Sequence, residues 1–179
     1  MFAKNQHTKL PLNLALMVHT VIRGINNSDI DNVFFIMKRN MSPYYEARGE
    51  SWNEDSIRRY FLNMESAVLE EQGQVCAFTF FESTPKGAHI HTLQVAPERQ
   101  NGVLGAKLFR WYLELASPND SFELTCNVYI TNPALNMYLK LGFAEVGREA
   151  GVVNLCLPLT NGFSPFLPTA STRRRERRG

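Results

Sequence analysis

His89 and His91 stand two residues apart in the alternating stretch His-Ile-His-Thr-Leu-Gln-Val at 89–95. On a β-strand, residues two apart share a face. Imidazole, with an ordinary pKa of about 6.5, is largely neutral at pH 7, so either ring can take a proton from a reacting group. A pair of structural histidines, each hydrogen-bonded to neighbours, would give the same pattern. A metal site would need more ligands, and no third one stands at a suitable spacing. Directly downstream, Pro97 ends the strand and Gln100-Asn101-Gly102-Val103-Leu104-Gly105 leads into a helix. The first turn of a helix offers unpaired N–H groups and a partial positive charge. Gly102 and Gly105 remove side chains that would block a close ligand. The turn therefore suits an anion such as a pyrophosphate, although an ordinary strand-to-helix turn would look similar.

These residues need elements to hold them. Val21 to Arg23 reads as a short strand. Ser28 or Asp29 should cap a helix through Ile30, Val33, Phe34 and Met37. Ser42 to Asn53 reads as a loop. Asp55 begins a second helix carrying Ile57, Tyr60, Phe61 and Met64. Ala67 to Leu69 and Val75 to Phe81 are strands joined by a turn at Gln72-Gly73. His89 to Val95 follows, then a helix over Val103 to Ala116 with Leu104, Leu108, Trp111 and Leu115 on one stripe. Phe122 to Val128 alternates as a strand. Asn132-Pro133 is a favourable N-cap and N1 pair for a helix that ends before Gly142. Val152 to Leu157 is the last strand. The order β-α-α-β-β-β-α-β-α-β predicts a mixed sheet with helices on its faces, in the α/β or α+β class.

Length and composition narrow the partners. A chain of 179 residues, 44% apolar, suits a single domain with one core. The net charge of +2 is uneven. Arg173, Arg174, Arg175, Arg177 and Arg178 with Glu176 make the tail basic, and the body is slightly acidic. Nucleic-acid binding by the body is not expected. Cys76, Cys126 and Cys156 lie in apolar strand-like stretches, as expected of buried thiols in a reducing cytoplasm. Leu10 to Val18 resembles a weak signal h-region, but Pro11 and Asn13 interrupt it and no clean cleavage site follows, and no segment is long enough to span a membrane. The expected organisation is an extension at 1–19, a domain at 20–158 and a basic tail at 159–179.

The stretch from Val95-Ala-Pro97 through Gln100 to Gly105 resembles, without gaps, the acetyl-CoA loop of the GNAT acyltransferase superfamily, with Val103 where the first glycine is usual. Asn132-Pro133-Ala134-Leu-Asn-Met-Tyr138 followed by Gly142-Phe143 resembles a second motif of that family at the family's distance. The resemblance implies a mostly antiparallel central sheet flanked by helices, with a splayed acyl-CoA cleft. It implies that Leu93, Gln94 and Val95 pair with the pantetheine arm as a pseudo-strand. It implies a cofactor site over Gln100, Asn101, Gly102, Val103, Leu104, Gly105 and Ala106, with Asn132 and Tyr138 nearby. Tyr138 matches the usual general acid, and His89 falls where related histone acetyltransferases carry a catalytic Glu. The His-x-His pattern is also similar to that of serotonin N-acetyltransferase.

The expected activity is acyl transfer from acetyl-CoA, as co-substrate and without a metal, to a primary amine in a ternary complex. His89 or His91 would serve as base and a backbone N–H near Val95 as oxyanion donor. The acceptor, small molecule or peptide, stays open, as does a homodimer. Tyr44, Tyr45 and Trp52 with Glu46 and Glu50 in the first loop would suit a cationic amine. A non-catalytic acyl-CoA-binding regulatory or interaction module would keep Gln100 to Gly105 without needing His89, His91 or Tyr138.

Overall fold

The computed structural model describes residues 20–100, 102–115 and 122–159. The 1–19 extension and the arginine tail lie outside them. The architecture starts from tight local pairings. Gln72 and Gly73 both have positive φ, 54° and 77°, as a two-residue hairpin turn requires. They join β2 (Glu65–Glu71) to β3 (Gln74–Thr84). β4 (Gly87–Val95) returns antiparallel along β3, and β1 (Thr20–Arg23) pairs with β2 on the outer side. Further along the chain come β5 (Phe122–Tyr129), β6 (Ala144–Glu149) and β7 (Val152–Leu159). Among the described residues the seven strands form one sheet in the order β1-β2-β3-β4-β5-β7-β6. Every pairing is antiparallel except β4 with β5.

That single parallel pairing joins two antiparallel halves, and its two strands are linked by a crossover containing α3 (Leu104–Leu115), as parallel neighbours require. The join is short, Gly87 to Ile90 against Glu123 to Cys126. At its start the backbones are pressed together: a Cβ on Gly87 would collide with the backbone of Glu123.

The helices cover both faces. α1 (Ile30–Glu46) and α2 (Glu54–Phe61) pack Val33, Phe34, Ile36, Met37 and Ile57 on Val68, Phe78 and Phe80. α3 packs Leu104 and Leu108 on Ala67, Leu69 and Ala77 of the opposite face. Phe109 and Tyr112 of α3 join Tyr138 of α4 (Ala134–Lys140) in a third cluster with Leu124, Val153 and Leu155. β2 buries side chains on both faces, which explains its apolar run Ala-Val-Leu.

Four expectations are corrected. The segment 42–46 is helical and not loop: α1 continues through Pro43. Proline deprives the helix of one donor. The extra turn is held by Ala47 N–H on Pro43 O, by Tyr44 stacked on Tyr129, and by Tyr45 edge-on to Trp52. Asp29 stands at the N-cap but does not cap with its side chain. Its carboxylate accepts the Asn26 N–H at 2.9 Å and both guanidinium nitrogens of Arg23, at 2.6 and 3.0 Å. Arg23 also binds Glu70, and the hydrogen bonds from the Arg23 guanidinium hold the Asp29 carboxyl below its ordinary range. Finally, β6 was not expected, and Met64 lies beyond the end of α2.

Candidate active site

Beyond Ile90 and Cys126 the two central strands part. A wedge opens between them, occupied by two adjoining cavities of about 310 and 800 Å³. Met41, Leu93, Gln94, Asn132 and Ala134 line both. The smaller lies beneath α1 and α2; the larger runs along β4 to the start of α3.

The larger cavity gathers the phosphate-loop residues. Leu93, Gln94, Val95, Gln100, Gly102, Leu104, Gly105 and Ala106 line it, with Arg39, Arg99 and Lys140. Asn101 lies outside the described residues. Val103 is 63% exposed, is not on the wall, and does not have positive φ. A side chain at this position therefore points to solvent, leaving its backbone free to face a ligand. Lys107 N–H bonds to Val103 O, so the N–H groups of Leu104, Gly105 and Ala106 precede the first turn's closure and lack helical partners. Gly105 sits against Leu93, Val95 and Met137, at 3.5 to 3.7 Å from where its Cβ would lie. The loop is tethered from behind: Glu71, buried on β2, pairs with Arg99 and reaches Lys107 at 3.9 Å.

With β5 gone, the carbonyl of Val95 has no strand partner on the open side. Side-chain amides take that place. Asn40 Nδ2 donates to it at 2.9 Å and Gln100 Nε2 at 3.2 Å, and Gln100 also donates to Asn40 Oδ1. Asn40 Nδ2 further donates to Gln94 Oε1 at 2.9 Å.

The smaller cavity holds His91 and Tyr138. The pairing of β3 with β4 slips between Phe80↔Thr92 and Phe81↔Ile90, which leaves His91 as the extra residue of a bulge. His91 lines the cavity. Its Nδ1 lies 3.2 Å from the Tyr60 hydroxyl and its Nε2 3.2 Å from Glu82 Oε2. His89 shares the face, with ring centroids 4.7 Å apart, but it is not part of the wall. Its Nδ1 is 2.8 Å from Thr125 Oγ1 on β5. Burial, and then the neighbouring His91, push the His89 pKa down against the opposing pull of Glu82.

Tyr138 is buried on the same wall. Burial foremost, with Cys126 beside it, pushes its phenol well above the ordinary range. The phenol thus stays protonated at every physiological pH. The Cys126 thiol is itself pushed up to about 12, chiefly by burial. Asn132 Oδ1 accepts the Ala134 N–H at 2.9 Å, capping α4 while its side chain lines both cavities. The rest of the small cavity is uncharged, with Met37, Tyr45, Trp52, Phe61 and Tyr129 prominent.

A family model described as an acetyltransferase (GNAT) domain matches residues 20–157. The chain belongs to the GNAT acetyltransferase family. A Bacillus subtilis (strain 168) protein named "Putative ribosomal protein bS18-alanine N-acetyltransferase" is 27% identical over 130 residues, 70% of this chain and 82% of the relative. The crystal structure of the ribosomal-protein-S18-alanine N-acetyltransferase of Escherichia coli shares the fold with a TM-score of 0.64 at 19% identity, over 79% of this chain and 95% of that one. The PaiA N-acetyltransferase of Thermoplasma acidophilum, solved with coenzyme A, has a TM-score of 0.64 at 13% identity, over 79% and 99% of the two chains. This protein is therefore an N-acetyltransferase of that family.

The two cavities and the histidines beside them involve residues that the linear reading did not single out. Asn40 is one, and its signal was present: it is a polar residue beside Met37, Met41 and Tyr44 on one helical face. Tyr60, Thr125 and Lys140 carried no comparable signal. Glu46 and Glu50 are absent from the cavity wall. Glu50 pairs with Arg48 at 2.9 Å, and the Arg48 guanidinium lies over Tyr129.

Proposed function

We propose that the enzyme transfers acetyl from acetyl-CoA to a primary amine by direct attack within a ternary complex. One observation carries this reading. The cleft-facing edge of β4, ending at the Val95 carbonyl, runs into the open N-terminus of α3 on one side and the Tyr138 cavity on the other. An arm carrying two amides can lie along that strand edge as an added strand, and its pyrophosphate can meet the free N–H groups of α3. Its thioester then reaches the seam.

The amine enters through the smaller cavity. A histidine accepts its proton, and His91 is the better placed because it lines the wall. The amine nitrogen attacks the thioester carbon. A β4 backbone N–H near Val95 stabilises the developing oxyanion. The C–S bond breaks, and Tyr138, kept protonated by burial, supplies the proton to the departing thiolate. Holding both reactants in line can lower the barrier by about 7–11 kcal/mol.

Among the described residues the cavity wall carries no carboxylate, which favours an acceptor whose remaining surface is uncharged over a polycation. The free thiols Cys76, Cys126 and Cys156 fit a reducing cytoplasm. The test is CoA-thiol release from acetyl-CoA against small amines, peptides with free N-termini and polyamines. Release that depends on one amine class supports the reading. Tight acetyl-CoA binding with no release for any acceptor would favour the binding-module alternative.

A further inference from the structure

We infer that Glu82 is the positioning residue that keeps His91 in its proton-accepting tautomer, and that the Tyr60 hydroxyl covers Nδ1 until the amine replaces it. This rests on the reading of His91 as the base.

Three elements converge on one ring: Tyr60 from α2, Glu82 from β3 and His91 from the bulge of β4. A carboxylate only accepts hydrogen bonds. The nitrogen facing Glu82, Nε2, must therefore carry the hydrogen in the neutral ring. Nδ1 then holds the lone pair, and the Tyr60 O–H donates to it. The arrangement matches a base oriented by a third group. The amine N–H can form the same contact with Nδ1 that the Tyr60 hydroxyl makes in this structure. Tyr60 lies at the surface, 56% exposed, and can yield.

The other groups facing the ring agree. His89 stands edge-on, 4.7 Å away, and disfavours a second positive charge. Tyr138 and Cys126 on the cavity wall stay neutral. Glu82 is the only carboxylate paired with His91 among the described residues, and at 65% side-chain exposure it contributes nothing to the core. In the reaction the amine proton passes to Nδ1 as the N–C bond forms. The Nε2–H remains on Glu82, which stabilises the imidazolium. The thiolate takes the Tyr138 proton. The enzyme resets when His91 releases a proton and Tyr138 regains one.

The experiment compares kcat/KM against pH for wild type, His91→Gln, Glu82→Gln, Glu82→Asp and Tyr60→Phe, with acetyl-CoA and one active amine. His91→Gln should lower kcat/KM by about 10²-fold or more. Glu82→Gln should lower it about tenfold, because an amide can donate as well as accept and no longer fixes which ring nitrogen of His91 carries the hydrogen. KM for acetyl-CoA should not change. Glu82→Asp should recover part of the rate. Tyr60→Phe should lower the amine KM by about two- to threefold, since one competing hydrogen bond is gone. Full activity in His91→Gln would overturn the base reading itself. An impaired His91→Gln beside a Glu82→Gln with wild-type rate and pH profile would overturn this inference alone. A Tyr60→Phe as crippled as His91→Gln would overturn the covering role.

Discussion

Asn40 Nδ2 lies 2.9 Å from the carbonyl oxygen of Val95, in the place a strand partner would occupy if β5 had not turned away. Gln100 donates to the same oxygen at 3.2 Å. A carbonyl has two lone pairs, so both are engaged. In the proposed binding mode, an amide of the incoming pantetheine arm would have to displace one of these donors.

Removing one donor should therefore help the cofactor. Asn40→Ala is expected to lower the Kd for acetyl-CoA by about two- to tenfold, the equivalent of one net hydrogen bond. Isothermal calorimetry measures this directly. Weaker binding would show that Asn40 holds the strand edge in shape and does not compete.

Two substitutions at Gly105 separate space from charge. A Cβ there meets Leu93, Val95 and Met137 at 3.5 Å or more, ordinary contact distances. Gly105→Ala should leave stability within about 1 kcal/mol of wild type. Gly105→Glu places a carboxylate at the helix N-terminus where the pyrophosphate should sit, and should raise the Kd for acetyl-CoA by more than about tenfold. Equal affinity in both variants would move the phosphate site elsewhere.

Tyr138→Phe deletes only the hydroxyl. No hydrogen bond of that hydroxyl is found among the described residues, so the fold should tolerate the change. The expected result is a kcat lower by about 10²-fold with unchanged acetyl-CoA affinity. A rise in Kd of similar size would make the ring a packing surface and not an acid.

His89 predicts a pH dependence of stability. Its folded pKa is lowered, by burial first, so the folded protein binds that proton less readily than the unfolded chain. The contribution is complete above the unfolded value of about 6.5 and is lost as pH falls below it, at no more than about 1.4 kcal/mol per pH unit for one proton. Thermal melts from pH 7.5 to 5.5 should show Tm falling, and His89→Gln should flatten that fall. Parallel curves for the two proteins would contradict the burial argument.

Local chemistry made much of this legible in the sequence. The Gln72-Gly73 turn, the alternation of β4 and the glycine-bearing entrance to α3 are each written within a few residues. β6 was hidden because it is an exposed edge strand, Ala-Glu-Val-Gly-Arg-Glu, with charges and a glycine where a buried strand would carry apolar residues. The end of α1 was hidden because Pro43 is a helix breaker whose cost is met by tertiary contacts, Tyr44 on the sequence-distant Tyr129 and Tyr45 on Trp52. At the site, the parity of His89 and His91 was readable, but the bulge was not. Only the slipped register against β3 shows which ring lines the cavity. Tyr60 and Glu82 reach His91 across 31 and 9 residues of sequence, and no local pattern encodes such meetings.

The press of Gly87 against Glu123 has a consequence for how the chain folds. β1 to β4 meet through antiparallel contacts, and β2 to β4 through short turns, so much of that meander can form locally. β5 and β7 are expected to join later, because closing the parallel join must order the whole crossover through α3. Until then β4 and β5 each present a bare edge, the kind of surface on which chains aggregate. A methyl group at position 87 would hold those edges apart without touching any residue of the cleft. Its harm would be seen in refolding yield and inclusion bodies, well before any assay of turnover.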